Sequence, residues 1–177
     1  MHRSIGILAA CLLSIALAGC TSDPVRAPNY EGESVTIGII GTPPTMRERN
    51  VNFEQIDFDQ LEKVDSSSGY DAVFITKEHL SEAADSKYAL TYKTAGVPFF
   101  FIESKKSHLP FISEQRTYEE FPDLNTDSYV SGYFGDRRNS KYWSYGLQND
   151  EPNRSDIEDV YSRVIETITR IESEVRS

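Results

Sequence analysis

The sequence predicts an α/β fold: a three-layer sandwich with a mostly parallel sheet, an antiparallel hairpin and a covering C-terminal helix. Three observations predict it. Tyr70–Thr76 reads as a strand, and Val97–Ile102 is a second one almost without polar residues, as a strand covered on both faces is. Between them, residues 78–95 are rich in Ala, Glu, Lys and Leu. Strand, helix and strand of this length make a βαβ unit, right-handed by strong precedent. Near the end, Ile157, Tyr161, Val164, Ile168, Ile171 and Val175 recur at steps of four and three, which places one apolar stripe along a helix.

Each element can be justified in order. Val35–Ile40 is a β-branched run closed by Gly41, the pattern of a buried strand. Thr42-Pro43-Pro44 forces a turn, and Val51–Ile56 predicts a second strand. A short helix can start at Asp57 or Asp59 and run through Leu61 to Val64, where Ser66-Ser67-Ser68-Gly69 breaks it. The helix over 78–95 has a weak point at Asp85-Ser86, and Gly96 is its stop. Ser128–Phe134 and Tyr142–Leu147 flank the polar stretch 135–141, which predicts a hairpin at the sheet edge. Alternation along it puts Tyr129, Ser131 and Tyr133 on one face. Ser155-Asp156-Ile157-Glu158 reads as a capping box for the last helix. The stripe behind it suits a coiled-coil partner or the domain's own sheet. Five to six turns are what a covering helix needs, so packing on the sheet is the expectation.

Composition narrows the function classes. Leaving out residues 1–20 removes Arg3 and no acidic residue, so the formal charge of −10 becomes −11 over the remaining 157 residues. Such acidity excludes the basic footprint expected of a nucleic-acid binder and opposes adhesion to anionic headgroups. Both cysteines, Cys11 and Cys20, lie in the first twenty residues. The rest of the chain can therefore form no disulfide, thiolate metal site or cysteine nucleophile.

Those twenty residues carry an address. A basic start (His2, Arg3), an apolar run from Ile5 to Ala18 and small residues at its end form the pattern of a secretory signal. The run is shorter than the roughly 20 residues of a membrane span. Leu17-Ala18-Gly19-Cys20 resembles the lipobox of bacterial lipoproteins. The resemblance implies a signal peptide over 1–19 and a diacylglyceryl thioether, with acyl chains of the palmitate class, on Cys20. It also implies a location on the extracytoplasmic face of the cell membrane, held there by the lipid. Residues 20–34 are polar with two prolines and read as a flexible tether; residues 35–177 read as a single α/β domain. The middle of the chain, Tyr70 to Phe111, resembles uncharacterised lipoproteins of Gram-positive bacteria. The likeness lies in a tyrosine-rich helix, the Val97–Ile102 strand and Lys105-Lys106-Ser107-His108-Leu109-Pro110-Phe111. No activity comes with it.

In open α/β sheets, ligands bind beyond the carboxyl ends of the strands. Those ends here offer Thr42, then Thr76, Lys77 and His79, then Glu103 and Lys105. If the strands are parallel, these residues converge. His79 with Glu78 or Glu103 could then act as acid and base, while Lys77 and Lys105 attract an anion; equally, they could be ordinary polar surface. Pro43 and Pro44 follow Gly41, so no phosphate cradle of backbone N–H groups forms there. A Gly-x-Ser-x-Gly elbow and a His-Glu-x-x-His zinc motif are both missing, and no cofactor or metal is implied. The hairpin aromatics, Trp143 among them, could stack on sugars or simply pack. The sequence thus supports a non-catalytic binding or interaction module at the cell surface, with an envelope protein or a small polar ligand as partner. The alternative is an envelope hydrolase or transferase that uses His79.

Overall fold

The computed structural model describes residues 27–124, 128–136, 138–148 and 152–176. Cys20 and the signal-like segment lie outside the described residues. The predicted fold class is observed. Six strands, β1 (Val35–Ile40), β2 (Val51–Gln55), β3 (Ala72–Ile75), β4 (Phe99–Ile102), β5 (Ser128–Gly135) and β6 (Ser140–Gly146), form one sheet in the order β2-β1-β3-β4-β5-β6. β1, β2, β3 and β4 are mutually parallel, and β5 and β6 join antiparallel as an edge hairpin.

Every residue of β3 and β4 is buried, as their apolar runs require. Alternation then divides the core. Val73, Ile75, Phe99 and Phe101 face one layer, while Ala72, Phe74, Phe100 and Ile102 face the other.

The first layer is built from short pieces: α1 (Phe58–Leu61), α2 (Leu80–Ala83), α3 (Ala89–Thr94) and α4 (Leu109–Ile112), with single 3₁₀ turns between. α1 starts where expected, because Asp57 accepts from the Gln60 N–H and the Gln60 side chain accepts from the Asp57 N–H. The predicted helix over 78–95 is divided at Asp85, whose side chain instead accepts from the Lys87 N–H at 3.0 Å. Gly96 ends it at φ 69°, a left-handed conformation that glycine adopts freely. α4 was not foreseen, being one turn with a proline inside it.

Among the described residues, the one helix of the second layer is α5 (Arg154–Arg176). Val160, Tyr161, Val164, Ile165 and Ile168 are buried against β1, β3 and β4, so the stripe serves the domain's own sheet. The expected capping box is displaced. Asn153 Oδ1 accepts from the Asp156 N–H at 3.0 Å, and the Asn153 amide donates to Asp156 Oδ2 at 2.7 Å. Glu158 pairs instead with Arg154 at 2.8 Å. The helix thus begins two residues before Asp156, and Val175 at its far end is exposed.

Residues 27–34, read from sequence as part of a loose tether, lie against the body. The Ala27 N–H donates to Asp159 at 2.6 Å, Arg47 donates to the Ala27 carbonyl, and Asn50 donates to the Gly32 carbonyl at 2.7 Å. Polar composition alone does not reveal that two loop side chains, Arg47 and Asn50, are placed to receive this segment.

Candidate functional site

The parallel strands end on a crevice of about 590 Å³. Five chain segments build it. After β1, Gly41 stands at φ 110°, and a side chain there would meet Thr76 Oγ1 at 1.8 Å. Only glycine lets the strand end come this close. Thr76 in turn donates through its N–H (3.0 Å) and its hydroxyl (3.3 Å) to the Ile40 carbonyl. Thr42, Pro43, Pro44 and Thr45 then form one rim. After β3 come Thr76 and Glu78, and at the end of β4 come Ile102 and Glu103. The opposite wall is Tyr129 of β5 with Arg154, Ile157, Glu158 and Tyr161 of α5.

Glu103 is the only non-glycine residue with positive φ, 54°, among the described residues. A β-carbon makes this conformation costly by roughly 1–2 kcal/mol, and such outliers concentrate where a site needs a particular side-chain direction. Its carboxylate lies 3.4 Å from Lys77 Nζ.

At the back of the crevice the Tyr129 and Tyr161 rings meet edge-to-face, 6.4 Å apart at 77°. Burial first, then the nearby Tyr129 and the Glu103 charge, push Tyr161 well above the usual tyrosine range. Burial and Glu103 also raise Tyr129, while the neighbouring Tyr161 hydroxyl pulls the other way. Both hydroxyls therefore stay protonated at neutral pH. A protonated phenol can both donate and accept a hydrogen bond.

The sequence-predicted residues divide. Thr42, Thr76 and Glu103 line the crevice; Lys77, His79 and Lys105 do not. Lys77 reaches it only through its ion pair with Glu103, in which both side chains are well exposed. The His79 ring packs edge-on against Phe58, 6.1 Å away on the α1 side. It has no hydrogen bond to Glu78 or Glu103 among the described residues. Glu78 is held below its usual range, first by its own backbone N–H, which keeps it ionised. Lys105 is exposed. Lys106 is mostly buried, with Nζ donating to the Phe121 carbonyl and, at 2.9 Å, to Asp123. The lysines expected to hold an anion are thus turned away or already paired.

Sequence reasoning grouped Tyr129 with the hairpin aromatics, away from the strand ends, and missed Tyr161, Arg154, Ile157 and Glu158. Tyr129 was expected beside Ser131 and Tyr133, but the β5–β6 register shifts between Ser128 and Val130. A bulge of this kind re-aims a side chain. Tyr129 consequently packs with the α5 layer, while Tyr133 packs with the other. Of the other hairpin aromatics, Tyr145 and Trp143 pack inward while Tyr142 is exposed. The Tyr145 hydroxyl donates to Thr167 at 2.7 Å, and Trp143 lies over Phe100 at 6.3 Å. The one available clue was Tyr161, a hydroxyl within an otherwise aliphatic stripe.

Among the described residues no helix is long and apolar enough to cross a membrane, and no group of three or more His, Cys, Asp or Glu side chains could hold a metal ion. Comparison with protein-family models, with curated proteins and with solved structures finds no match.

Proposed function

We propose that this chain is an exported lipoprotein, anchored through Cys20 to the extracytoplasmic face of the cell membrane, whose domain binds a small polar ligand in the strand-end crevice. The observation that carries the binding reading is the pair of protonated tyrosine hydroxyls beside the left-handed Glu103. These groups can donate and accept hydrogen bonds at fixed positions, and aromatic and proline walls surround them. The carboxylates of Glu78, Glu103 and Glu158 face this space, with Arg154 as the lining cation, already paired to Glu158. That balance favours a neutral, hydroxyl-bearing ligand or a cationic one over an anion. Non-catalytic binding is further supported by His79, which sits outside the crevice beside Phe58.

Two measurements test the parts separately. In a bacterium fed a fatty-acid analogue, the wild-type chain should take up label and Cys20→Ser should not. Equal labelling would remove the anchor. For binding, the probes are neutral sugars, small amines and small anions in a thermal-shift series. Sugars or amines should raise the melting temperature, and Tyr129→Phe should lose most of the shift while keeping the fold. A shift produced only by anions would overturn the reading.

A further inference from the structure

The way residues 27–34 are held fixes how the domain meets the membrane. Ala27 is gripped on both sides of its peptide: its N–H donates to the buried Asp159 at 2.6 Å, and its carbonyl accepts from Arg47. The grip is itself braced. Arg47 Nε donates to Ser162 at 2.8 Å and lies 3.5 Å from the fully buried Glu48, while Asp159 also accepts from Arg163 at 2.9 Å. Charged groups this well buried cost free energy unless paired, so the network specifies one position for the chain.

That position is at one end of the molecule. Asp159 follows Glu158, and Ile157, Glu158 and Tyr161 line the crevice. The opposite end of α5, at Ile171, Glu172 and Val175, borders a separate hollow beside Gly69 and Pro98, where β3 and β4 begin. At 1.5 Å per residue the two ends of α5 are about 35 Å apart. From Ala27 the chain passes Tyr30, which packs on the α5-side core, and enters β1 at Val35. It therefore arrives at the crevice end and runs toward the opposite end.

We infer that the lipid anchor holds the crevice-bearing end of the domain toward the membrane, on a strap of seven residues rather than a free tether of fifteen. This rests on the anchor proposed above. Seven residues at 3.3–3.6 Å each reach at most about 25 Å, less than the length of α5. The grip at Ala27 thus cannot sit further from the bilayer surface than that, which keeps the crevice end of the domain the nearer one. The acidic charge of the domain would repel anionic headgroups, so orientation comes from the strap and not from adhesion.

The experiment uses the lipidated full chain in phosphatidylcholine vesicles carrying a lipid-borne energy acceptor. A single fluorescent probe is placed at Lys105→Cys, near the crevice end, or at Ser66→Cys, beside the far hollow. Transfer should be several-fold stronger from position 105. Inserting about twenty Gly/Ser residues between positions 26 and 27, long enough to behave as a flexible coil, should abolish the difference. In the unlipidated Cys20→Ser chain, the Ala27 amide should resist hydrogen exchange, and Arg47→Ala should make it exchange freely. Equal transfer from both positions would overturn the orientation. Fast exchange at Ala27 in the unsubstituted strap would overturn the grip. Loss of the anchor itself is read independently, as missing acyl label on Cys20.

Discussion

The two faces of the sheet are covered in opposite ways. Among the described residues, one carries four α-helices, none longer than six residues, and the other a single helix of 23. On the long-helix face, burial follows the 3.6-residue period, and the aliphatic contacts form and fail together. On the other face, individual aromatic anchors replace periodicity. Tyr92 meets Phe99, Phe101 and Phe111 edge-on at 4.8, 5.5 and 6.5 Å, and its hydroxyl donates to the Ala83 carbonyl at 2.9 Å. A face made of short pieces can lose one anchor and keep the rest. A face made of one helix cannot.

The largest effect tests that contrast directly. Ending the chain after Asn153 removes Val160, Tyr161, Val164, Ile165 and Ile168, and uncovers Ile37, Ile39, Phe74 and Phe100. Each such side chain contributes about 1.5–3 kcal/mol when buried, and whole domains are stable by only about 5–15 kcal/mol. The truncated chain should show no cooperative transition by calorimetry and no near-ultraviolet aromatic circular dichroism. A normal melt would mean that α5 is an appendage and that the two faces do not differ as argued.

A single anchor on the short-helix face should cost less. Phe111 lies flat on Phe101, centroids 3.4 Å apart and planes within 3°, and is fully buried. Phe111→Ala should lose about 3–5 kcal/mol in urea denaturation while remaining two-state. Leu90→Ala, at a side chain 66% exposed on the same face, should change stability by less than about 0.5 kcal/mol. If Phe111→Ala abolished cooperative folding, this face would be as indivisible as the other.

The same contrast decides what was legible in the sequence. α5 announces itself because a stripe of period 3.6 is a one-dimensional signal. β3 and β4 do so because continuous apolar runs mean burial on both faces. The short-helix layer is hard to read: one-turn helices carry no period, and α4 places Pro110 within four residues. The crevice was half legible. Its strand-end residues Thr42, Thr76 and Glu103 follow from topology. Its other wall depends on a one-residue bulge at Tyr129 and on α5 folding back across the strand ends, and neither leaves a local mark. His79 shows the reverse error: its proximity in sequence to Thr76 suggested a shared cleft, but the 3₁₀ turn over Lys77–His79 carries the imidazole to Phe58.

The smallest effect is a pH dependence confined to the short-helix side. His108, just before α4, stacks between Tyr133 (5.4 Å, 18°) and Tyr142 (4.6 Å, 21°). Burial lowers its pKa, because a charged imidazolium between two rings loses water it cannot replace there. The unfolded chain titrates this group near pH 6.5. Between that value and the lower folded one, the unfolded state binds more protons, so stability rises with pH. Above the unfolded value both states are neutral and the group contributes no slope. As pH falls through the window, the folded state loses stability. His108→Phe keeps a ring in the stack and removes the proton. Urea midpoints taken from pH 7.5 down to 5 should therefore fall further in the wild type than in His108→Phe, since carboxylates titrating lower are common to both. Parallel curves would show that the stack opens at no cost, leaving this edge of the short-helix face even looser than its packing implies.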